Sequence, residues 1–286
     1  MVERSFWKEE LNMALTVVVP TYRNPNYLDL CLKSTIETKS EPDTKVIVVV
    51  DGFVEESTNV LAKYKPLGVL ELPKNVGMAN AINMGVWSAE TDYVLVINDD
   101  NVLCEHYDTR IKEELRQIEN TFGNKIVLTV DQVEPTGPGM FQFPIKDYGQ
   151  TYDAFSYTAW INEEPSFADK IIREDGHIFP FVVQKKWFMA IGGMDSFYCS
   201  PQVVDWDMFL KWELLGFSFP RTRALHFYHF GSVVTRKGPE AQKFREREAQ
   251  AMGQFQYKWG SAPYNKPGMN SKIPPDRQYR GFKVGS

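Results

Sequence analysis

The sequence predicts an α/β fold, in which a mainly parallel sheet carries helices on both faces. Short, largely apolar runs at 15–19, 45–50 and 93–97 are typical of strands that are buried on both sides. Helical segments separate these runs, and such alternation favours parallel strands joined by right-handed crossovers. Each run ends in polar residues, and the carboxyl ends of parallel strands form the ligand-binding edge of such sheets.

Composition excludes several classes of protein. The 286 residues are 43% hydrophobic and 24% charged, with a net charge of −5 and a pI of about 5.5, so there is no general basic footprint for nucleic acid or anionic lipid. No apolar run is long enough to span a bilayer, and Met1–Asn12 lacks the apolar core of a signal peptide. Cys31, Cys104 and Cys199 form no disulfide or metal framework. We therefore expect a cytoplasmic protein, with peripheral membrane association left open.

Periodicity predicts the remaining elements of the first half. Asn24 or Asn26 can cap the helix that follows the first strand. The apolar face of that helix carries Leu28, Cys31, Leu32 and Ile36. In chain order, the later elements are a short strand near Val69–Leu72, a helix from Asn75 to about Ser88, a helix over Glu105–Asn120 and a strand over Lys125–Val130.

The second half is less regular. Periodicity is lost over about 131–170, which predicts a long connection that is functional or mobile. Regular structure resumes at Phe181–Ile191, and a helix is expected to begin near Val203 with carboxylates in its first turn. A charged helix follows over Pro239–Trp259. We divide the chain into a domain over 1–235, with a nucleotide-binding half at about 14–130 and an acceptor half at about 131–235, and a C-terminal helix with an extended tail over 236–286.

The strand predicted at 93–97 runs into the sequence Asn98-Asp99-Asp100-Asn101. Adjacent carboxylates repel unless a cation or hydrogen-bond donors lie between them, and hard oxygen ligands suit Mg²⁺ or Mn²⁺. The alternative is a plain turn, because Asn and Asp are common where strands end. Neither the G-x-G-x-x-G nor the G-x-x-x-x-G-K-[ST] pattern occurs, so phosphates would have to be neutralised by other means, such as a metal on Asp100.

Four segments in register over about 90 residues resemble glycosyltransferase family 2, with its Rossmann-like GT-A fold. They are Thr-Val-Val-Val-Pro-Thr-Tyr-Arg-Asn (16–24), Val-Ile-Val-Val-Val-Asp-Gly (46–52), Asn-Val-Gly-Met-Ala-Asn-Ala-Ile-Asn-Met-Gly (75–85) and Asn-Asp-Asp-Asn-Val (98–102). The last segment matches the DXD motif of the family, with Asn98 at its first position.

The resemblance implies a set of donor-binding residues and a divalent cation, Mn²⁺ or Mg²⁺. The last carboxylate of the triplet, Asp100, is the implied metal ligand, together with His229 or, as the alternative, His226. On a strand these two histidines point to opposite faces. The implied nucleotide- and donor-binding residues are Pro20, Thr21, Tyr22, Arg23, Asp51, Asn75, Gly77, Asn80, Asn98, Asp99 and Gly193.

Attack by a sugar hydroxyl requires a general base, because a hydroxyl is a poor nucleophile at neutral pH. The family pattern places this base in a Glu-Asp-x-Asp segment, which here reads Val204-Asp205-Trp206-Asp207. Asp205 is the implied base and Asp207 the alternative. Val204 departs from the pattern at the Glu position.

The expected function is therefore that of a metal-dependent inverting glycosyltransferase. It would move a sugar from a nucleotide-diphosphate donor, of UDP or dTDP type, to an acceptor hydroxyl in glycan or polysaccharide synthesis. A nucleotidyltransferase is the second reading, but Pro20–Asn24 does not supply the Gly-rich phosphate loop that such an enzyme needs. Val204 keeps open a third reading, a non-catalytic nucleotide- or glycan-binding relative. Modified DNA or protein is a further candidate acceptor, and the acidic balance disfavours DNA.

Overall fold

A computed structural model describes residues 13–137, 142–231 and 241–263, except for the side chain of Gln202. Several expectations fall outside these ranges. They are the character of Met1–Asn12, the domain boundary at 235/236 and most of the C-terminal tail. None of the described helices is both long and apolar enough to cross a bilayer.

The described chain contains nine strands and eight α-helices. The strands are β1 (Leu15–Thr21), β2 (Lys45–Asp51), β3 (Gly68–Leu72), β4 (Tyr93–Val96), β5 (Asn101–Val102), β6 (Leu128–Val133), β7 (Ile172–Arg173), β8 (Phe181–Gln184) and β9 (Arg221–His229). The helices are α1 (Pro25–Glu37), α2 (Val54–Tyr64), α3 (Met78–Ser88), α4 (Tyr107–Phe122), α5 (Tyr157–Glu163), α6 (Lys185–Ala190), α7 (Pro201–Leu214) and α8 (Ala241–Trp259). A 3₁₀ turn at Glu164–Phe167 follows α5.

The strands form one sheet in the order β3-β2-β1-β4-β8-β6-β9-β5, with β7 paired to β9. The first four strands are parallel, which confirms the prediction for this half. The other half is mixed. β8 lies antiparallel between β4 and β6, whereas β6 and β9 run parallel to each other. The sequence did not predict this antiparallel insertion beside β4.

Two hydrophobic clusters cover the two faces of the sheet, because neighbouring residues of a strand point to opposite sides. Val17 and Val19 of β1 belong to one cluster, and Val18 belongs to the other. The first cluster includes buried residues of α1, α2, α4 and α5. The second includes residues of α3, α6, α7 and α8. The prediction of helices on both faces is therefore confirmed.

Three boundaries differ from the prediction. Helix α3 begins at Met78 and not at Asn75, because Gly77 has φ +90°, which is not a helical value. Helix α7 begins at Pro201, a residue that favours the first turn of a helix, so Asp205 and Asp207 lie in its second turn and not in its first. The connection over 131–170 is not structureless, since it contains α5 and the 3₁₀ turn.

Candidate active site

The carboxyl ends of β1, β2 and β4 meet at one edge of the sheet. Register pairs Thr21 with Val50 and Val18 with Val96, so the residues that follow each strand lie side by side. Pro20 pairs with Val49 in the same ladder. This edge gathers the polar residues that the sequence placed at three separate strand ends.

Asp99 is held by two donors from the segment after β1. Thr21 Oγ1 donates to Asp99 Oδ2 at 2.7 Å, and Asn24 Nδ2 donates to Asp99 Oδ1 at 3.0 Å. Burial and the neighbouring charge of Asp100 raise the pKa of Asp99 to about 7, against these hydrogen bonds. Asn24 occupies the N-cap position of α1, but its side chain makes no cap hydrogen bond. Sequence reasoning offered Asn24 or Asn26 as the cap and missed this contact.

The Asn98–Asn101 segment is both a turn and a part of the site. The Asn98 N–H donates to Asn101 Oδ1 at 3.0 Å, and the Asn101 N–H donates back to the Asn98 carbonyl at 3.2 Å. The turn directs Asp99 toward β1. The carbonyl of Asp100 accepts from the Phe230 N–H at 3.3 Å, which ties the turn to the end of β9.

Asp100 faces a histidine that is oriented by a second carboxylate. His229 Nε2 lies 3.6 Å from Asp100 Oδ1, and His229 Nδ1 lies 2.8 Å from Glu134 Oε1. Antiparallel pairing of Asn101 with His229 brings these groups together. Glu134 follows β6 and was not singled out in the sequence.

The alternative ligand, His226, lies elsewhere. It is fully buried, 3.7 Å from Asp131 and 3.9 Å from Glu164. Burial, with the nearby charges of Arg223 and Arg110, lowers the pKa of His226 to about 3. Its position on the opposite face of β9 agrees with the predicted alternation. The geometry therefore favours His229 over His226 as a partner of Asp100.

The donor set at Asp100 and His229 fits a divalent cation. Carboxylate oxygen and imidazole nitrogen are both ligands of Mn²⁺-type ions, and a ligating histidine usually donates its other N–H to a carboxylate, here Glu134. Nowhere in the described ranges do three His, Cys, Asp or Glu side chains converge as a ready-made metal cage. Mg²⁺-type sites commonly use one or two protein carboxylates, with substrate phosphates and water completing the shell.

Asp51 orders the loop that precedes α3. Its two carboxylate oxygens accept the backbone N–H groups of Val76, at 2.6 Å, and Gly77, at 3.0 Å. Burial raises the pKa of Asp51, and these two hydrogen bonds oppose the shift. Asn80 Nδ2 donates to the Val76 carbonyl at 2.8 Å, so the loop is fixed from both ends.

The same loop approaches the end of β2 so closely that only glycine fits there. A Cβ on Gly52 would lie 2.7 Å from the backbone nitrogen of Asn75, and Gly52 has φ +82°. Asn75 itself is exposed at this edge. Asp51, Asn75, Gly77 and Asn80 thus form one unit beside Thr21.

An aromatic rim borders this unit. The rings of Tyr22 and Phe53 meet edge to face, with centroids 5.8 Å apart, and the Arg23 guanidinium lies 4.3 Å from the Phe53 centroid. Arg23 also donates to Glu56 at 3.2 Å. Phe53 is 41% exposed, so part of its ring faces solvent beside Tyr22 and Arg23. Sequence reasoning missed Phe53, although a lone aromatic residue after Asp51-Gly52 was visible.

Asp207, the alternative base, is completely buried, and one of its carboxylate oxygens accepts three hydrogen bonds. Its Oδ1 accepts from Tyr198 at 2.8 Å, from Lys258 at 2.6 Å and from Trp259 Nε1 at 2.7 Å. Lys211 lies 3.0 Å from its Oδ2. A carboxylate that is held by two cations and sealed from solvent is a poor proton acceptor for a substrate.

Asp205 has the opposite character. It is partly accessible, and its Oδ1 accepts the Trp206 N–H at 2.8 Å. Burial raises the pKa of Asp205 to about 7, and no charged side chain of the described residues offsets that shift. A carboxylate with a pKa near the working pH is suited to general base catalysis.

One packing contact joins α7 to the strand that precedes Asp100. Phe181 of β8 pairs in register with Val96, the last residue of β4, and its ring packs on Phe209 with centroids 5.9 Å apart. Phe209 lies one helical turn after Asp205 on the same face of α7. Phe181 therefore connects the end of β4 to the turn of α7 that follows Asp205.

Gly193 is part of a turn that joins α3 to α7. A Cβ on Gly193 would lie 2.4 Å from Asn83 Oδ1, and Gly193 has φ +70°. Asn83 makes two hydrogen bonds of 2.8 Å with the backbone of Met194. Lys211 donates to the Gly193 carbonyl at 3.4 Å. The turn is thus fixed to both helices, and its predicted contact with the donor remains a prediction.

Residues 16–151 match the sequence model of glycosyl transferase family 2. This stretch is a glycosyltransferase family 2 domain. It includes all four segments on which the resemblance rested, and it ends before Gly193, Asp205 and His229. A glycosyltransferase of Streptococcus pneumoniae, GlyA, is 26% identical over 148 residues, which are 50% of this chain and 20% of that protein. The chain thus spans about a fifth of the length of this relative.

Solved glycosyltransferases share the fold of this chain. The mannosyltransferase PcManGT from Pyrobaculum calidifontis, in complex with GDP-Man and Mn²⁺, superposes with a TM-score of 0.56 at 17% identity, over 91% of this chain and 68% of that one. S. aureus TarS 1-349, in complex with UDP-GlcNAc, gives a TM-score of 0.55 at 15% identity, over 91% of this chain and 69% of that one. These similarities identify the fold as GT-A.

Proposed function

We propose that this protein is a metal-dependent inverting glycosyltransferase that uses a nucleotide-diphosphate sugar as its donor. The observation that carries this proposal is the carboxylate pair after β4. Asp99 is held by donors of the β1 loop, and Asp100 faces the His229–Glu134 pair. Asp99 thus faces the loop after β1, and Asp100 faces a candidate cation site.

The donor half of the site is assigned to the loops after β1 and β2. Tyr22, Arg23 and Phe53 form a partly exposed aromatic and cationic rim that suits a planar base. Asp51 and Asn80 hold the Asn75–Gly77 loop beside it. The UDP-GlcNAc and GDP-Man that occupy the structural relatives support a nucleotide sugar. UDP or dTDP sugars remain our proposed donors.

Asp100 and His229 are the residues that would hold Mn²⁺ or Mg²⁺. When bound, such an ion neutralises charge on the departing diphosphate. The ion would be needed to neutralise the phosphates, because the segments after the first strands contain no Gly-rich phosphate loop.

Asp205 is the proposed general base. Its carboxylate would take the proton of an acceptor hydroxyl while that oxygen attacks the anomeric carbon. The bond from this carbon to the diphosphate oxygen breaks on the opposite side, so the anomeric centre inverts. Proton removal by a positioned base typically contributes about 10²–10⁴-fold to such a step. The acceptor is proposed as a saccharide hydroxyl, in glycan or polysaccharide synthesis.

A thermal-shift assay of UDP-, dTDP- and GDP-sugars with and without Mn²⁺ tests the proposal. A ligand at 100 times its Kd stabilises the native state by about 2.7 kcal/mol, so a true donor should raise the melting temperature, and more so with Mn²⁺. Asp100→Ala should remove the Mn²⁺-dependent part. Donors that give no shift under any condition would contradict a nucleotide-sugar enzyme.

A further inference from the structure

Glu134 lies beyond the four segments that carry the family resemblance, and its Oε1 lies 2.8 Å from Nδ1 of His229. Both side chains are partly covered, with exposed fractions of 19% and 14%. An ion pair or hydrogen bond at this depth is screened less by water than one on the surface. The contact therefore restrains the imidazole more than a surface pair of the same length would.

Backbone pairing fixes both partners. His229 is held opposite Asn101 in the β5–β9 ladder. The Glu134 N–H donates to the Pro144 carbonyl at 3.1 Å, and the Lys146 N–H donates to the Glu134 carbonyl at 3.1 Å. Neither side chain can leave the contact without a change of rotamer or a local opening of the sheet.

We propose that Glu134 is a positioning residue that fixes the tautomer of His229. The proposal deepens the proposed function and depends on it. With its Nδ1–H donated to Glu134, the neutral imidazole carries its lone pair on Nε2, the nitrogen that faces Asp100 Oδ1 at 3.6 Å. Two electron-pair donors then face each other, which is the arrangement that a divalent cation requires. Removing Glu134 removes the acceptor that holds the proton on Nδ1, and a proton carried on Nε2 instead would block that ligand.

Mn²⁺ binding measures this role without relying on turnover. We would titrate the full chain with Mn²⁺ in the presence of UDP and follow free Mn²⁺ by electron paramagnetic resonance. Glu134→Ala should weaken Mn²⁺ binding by about 10–100-fold, the usual effect of removing an outer-shell partner of a metal ligand. Glu134→Gln keeps a carbonyl acceptor for Nδ1–H, so it should retain affinity within a few-fold of the native protein.

A matched control is available in the same region. Glu163 accepts a hydrogen bond from Tyr148 at 3.0 Å and is half exposed. Glu163→Ala removes a carboxylate that does not contact His229, and Mn²⁺ affinity should not change. Melting temperatures of all variants establish that they are folded.

The outcomes separate this inference from the proposed function. Native-like Mn²⁺ affinity in Glu134→Ala, with binding lost in Asp100→Ala, would overturn the positioning role and leave the cation site intact. Failure of the native chain to bind Mn²⁺ with UDP would overturn both.

A second readout does not depend on any Glu134 variant. The chain has four histidines, so imidazole ¹⁵N spectra of the native protein with Mg²⁺ and UDP are simple, and His229→Gln assigns the relevant signals. We expect the Nδ1–H tautomer at His229. Observation of the Nε2–H tautomer would refute the proposal directly.

Discussion

Trp259 Nε1 donates a 2.7 Å hydrogen bond to Asp207 Oδ1, which fastens the last residue of α8 to the middle of α7. Tyr198 and Lys258 donate to the same oxygen. The family 2 match ends at residue 151, so this connection lies wholly in the part of the chain that the match does not cover. It holds the helix that carries Asp205, two residues away.

Loss of the Trp259 hydrogen bond should destabilise the protein. Trp259→Phe keeps most of the buried ring but removes the N–H, and a hydrogen bond to a charged group contributes about 1.5–3 kcal/mol. We expect a loss of that order in the free energy of unfolding, measured by urea denaturation. Lys63→Met is the control. It breaks the exposed pair with Asp29, and surface pairs contribute at most about 1 kcal/mol. Equal losses in the two variants would contradict a special role for Trp259.

Asp205→Asn should impair turnover, whereas Asp207→Asn should impair stability. Asp205→Asn should lower kcat by about 10²–10⁴-fold, because the general base is lost. It should leave the fold intact, since an amide oxygen still accepts the Trp206 N–H. Asp207→Asn removes the charge that faces Lys211 and Lys258, and breaking such buried pairs costs about 3–5 kcal/mol. Turnover assays and thermal melts distinguish them. Full activity in Asp205→Asn would exclude Asp205 as the base.

Asp205→Asn should make the folded protein more stable at neutral pH than at acidic pH, relative to the native protein. The pKa of Asp205 is about 7 in the folded protein, against 3.8 for an unperturbed Asp, so the folded state holds its proton more tightly. The native protein therefore loses stability as pH rises from about 4 to about 7. The variant escapes this loss, so its advantage in melting temperature should be larger at pH 8 than at pH 4.5. An advantage that does not change with pH would contradict the raised pKa.

The kcat/KM of the native protein should rise as the pH increases toward about 7. Only the ionised carboxylate accepts a proton, so kcat/KM should increase as pH approaches and passes about 7. Donor affinity, measured by thermal shift at each pH, serves as the control that separates the base from donor binding. A kcat/KM that is flat between pH 5.5 and 8 would argue against a base with this pKa.

Phe53 should contribute to donor binding. Phe53→Ala removes the ring that lies between Tyr22 and Arg23, and loss of a stacking surface costs about 1–3 kcal/mol per base. We expect at least a roughly fivefold weaker affinity for UDP, by isothermal titration. Phe53→Tyr should bind nearly normally. Tyr257→Ala, at a 77% exposed position on α8, is the control. If both alanine variants bind alike, Phe53 is not part of the base site.

The first half of the fold could be predicted because its signals are local. Each buried strand is a continuous apolar run, and each polar cluster follows directly in sequence, as Asp51 and Asp99 do. The contact between Thr21 and Asp99 then follows from parallel pairing alone. The second half depends on distant partners. No local pattern pairs Glu134 with His229, which is 95 residues away, or inserts β8 beside β4.

Competing local signals explain the other differences. Two carboxylates near Val203 suggested the start of a helix, but Pro201 is the stronger first-turn residue and α7 begins there. Asn24 has the chemistry of an N-cap, yet its amide is used by Asp99. Val204, which replaces the expected Glu, is buried in the core of the α7 face, where a carboxylate would be costly.

The insertion of β8 beside β4 creates a boundary in the sheet, which we call the seam. On one side lie the parallel strands whose loops surround the proposed nucleotide, and on the other lie β8, β6 and β9, which carry Glu134 and His229. The candidate cation site spans this seam, since Asp100 comes from one side and His229 from the other. A chimera that exchanged everything beyond this boundary would therefore keep the loops proposed to bind the base but would lose His229 and Glu134 from the candidate cation site.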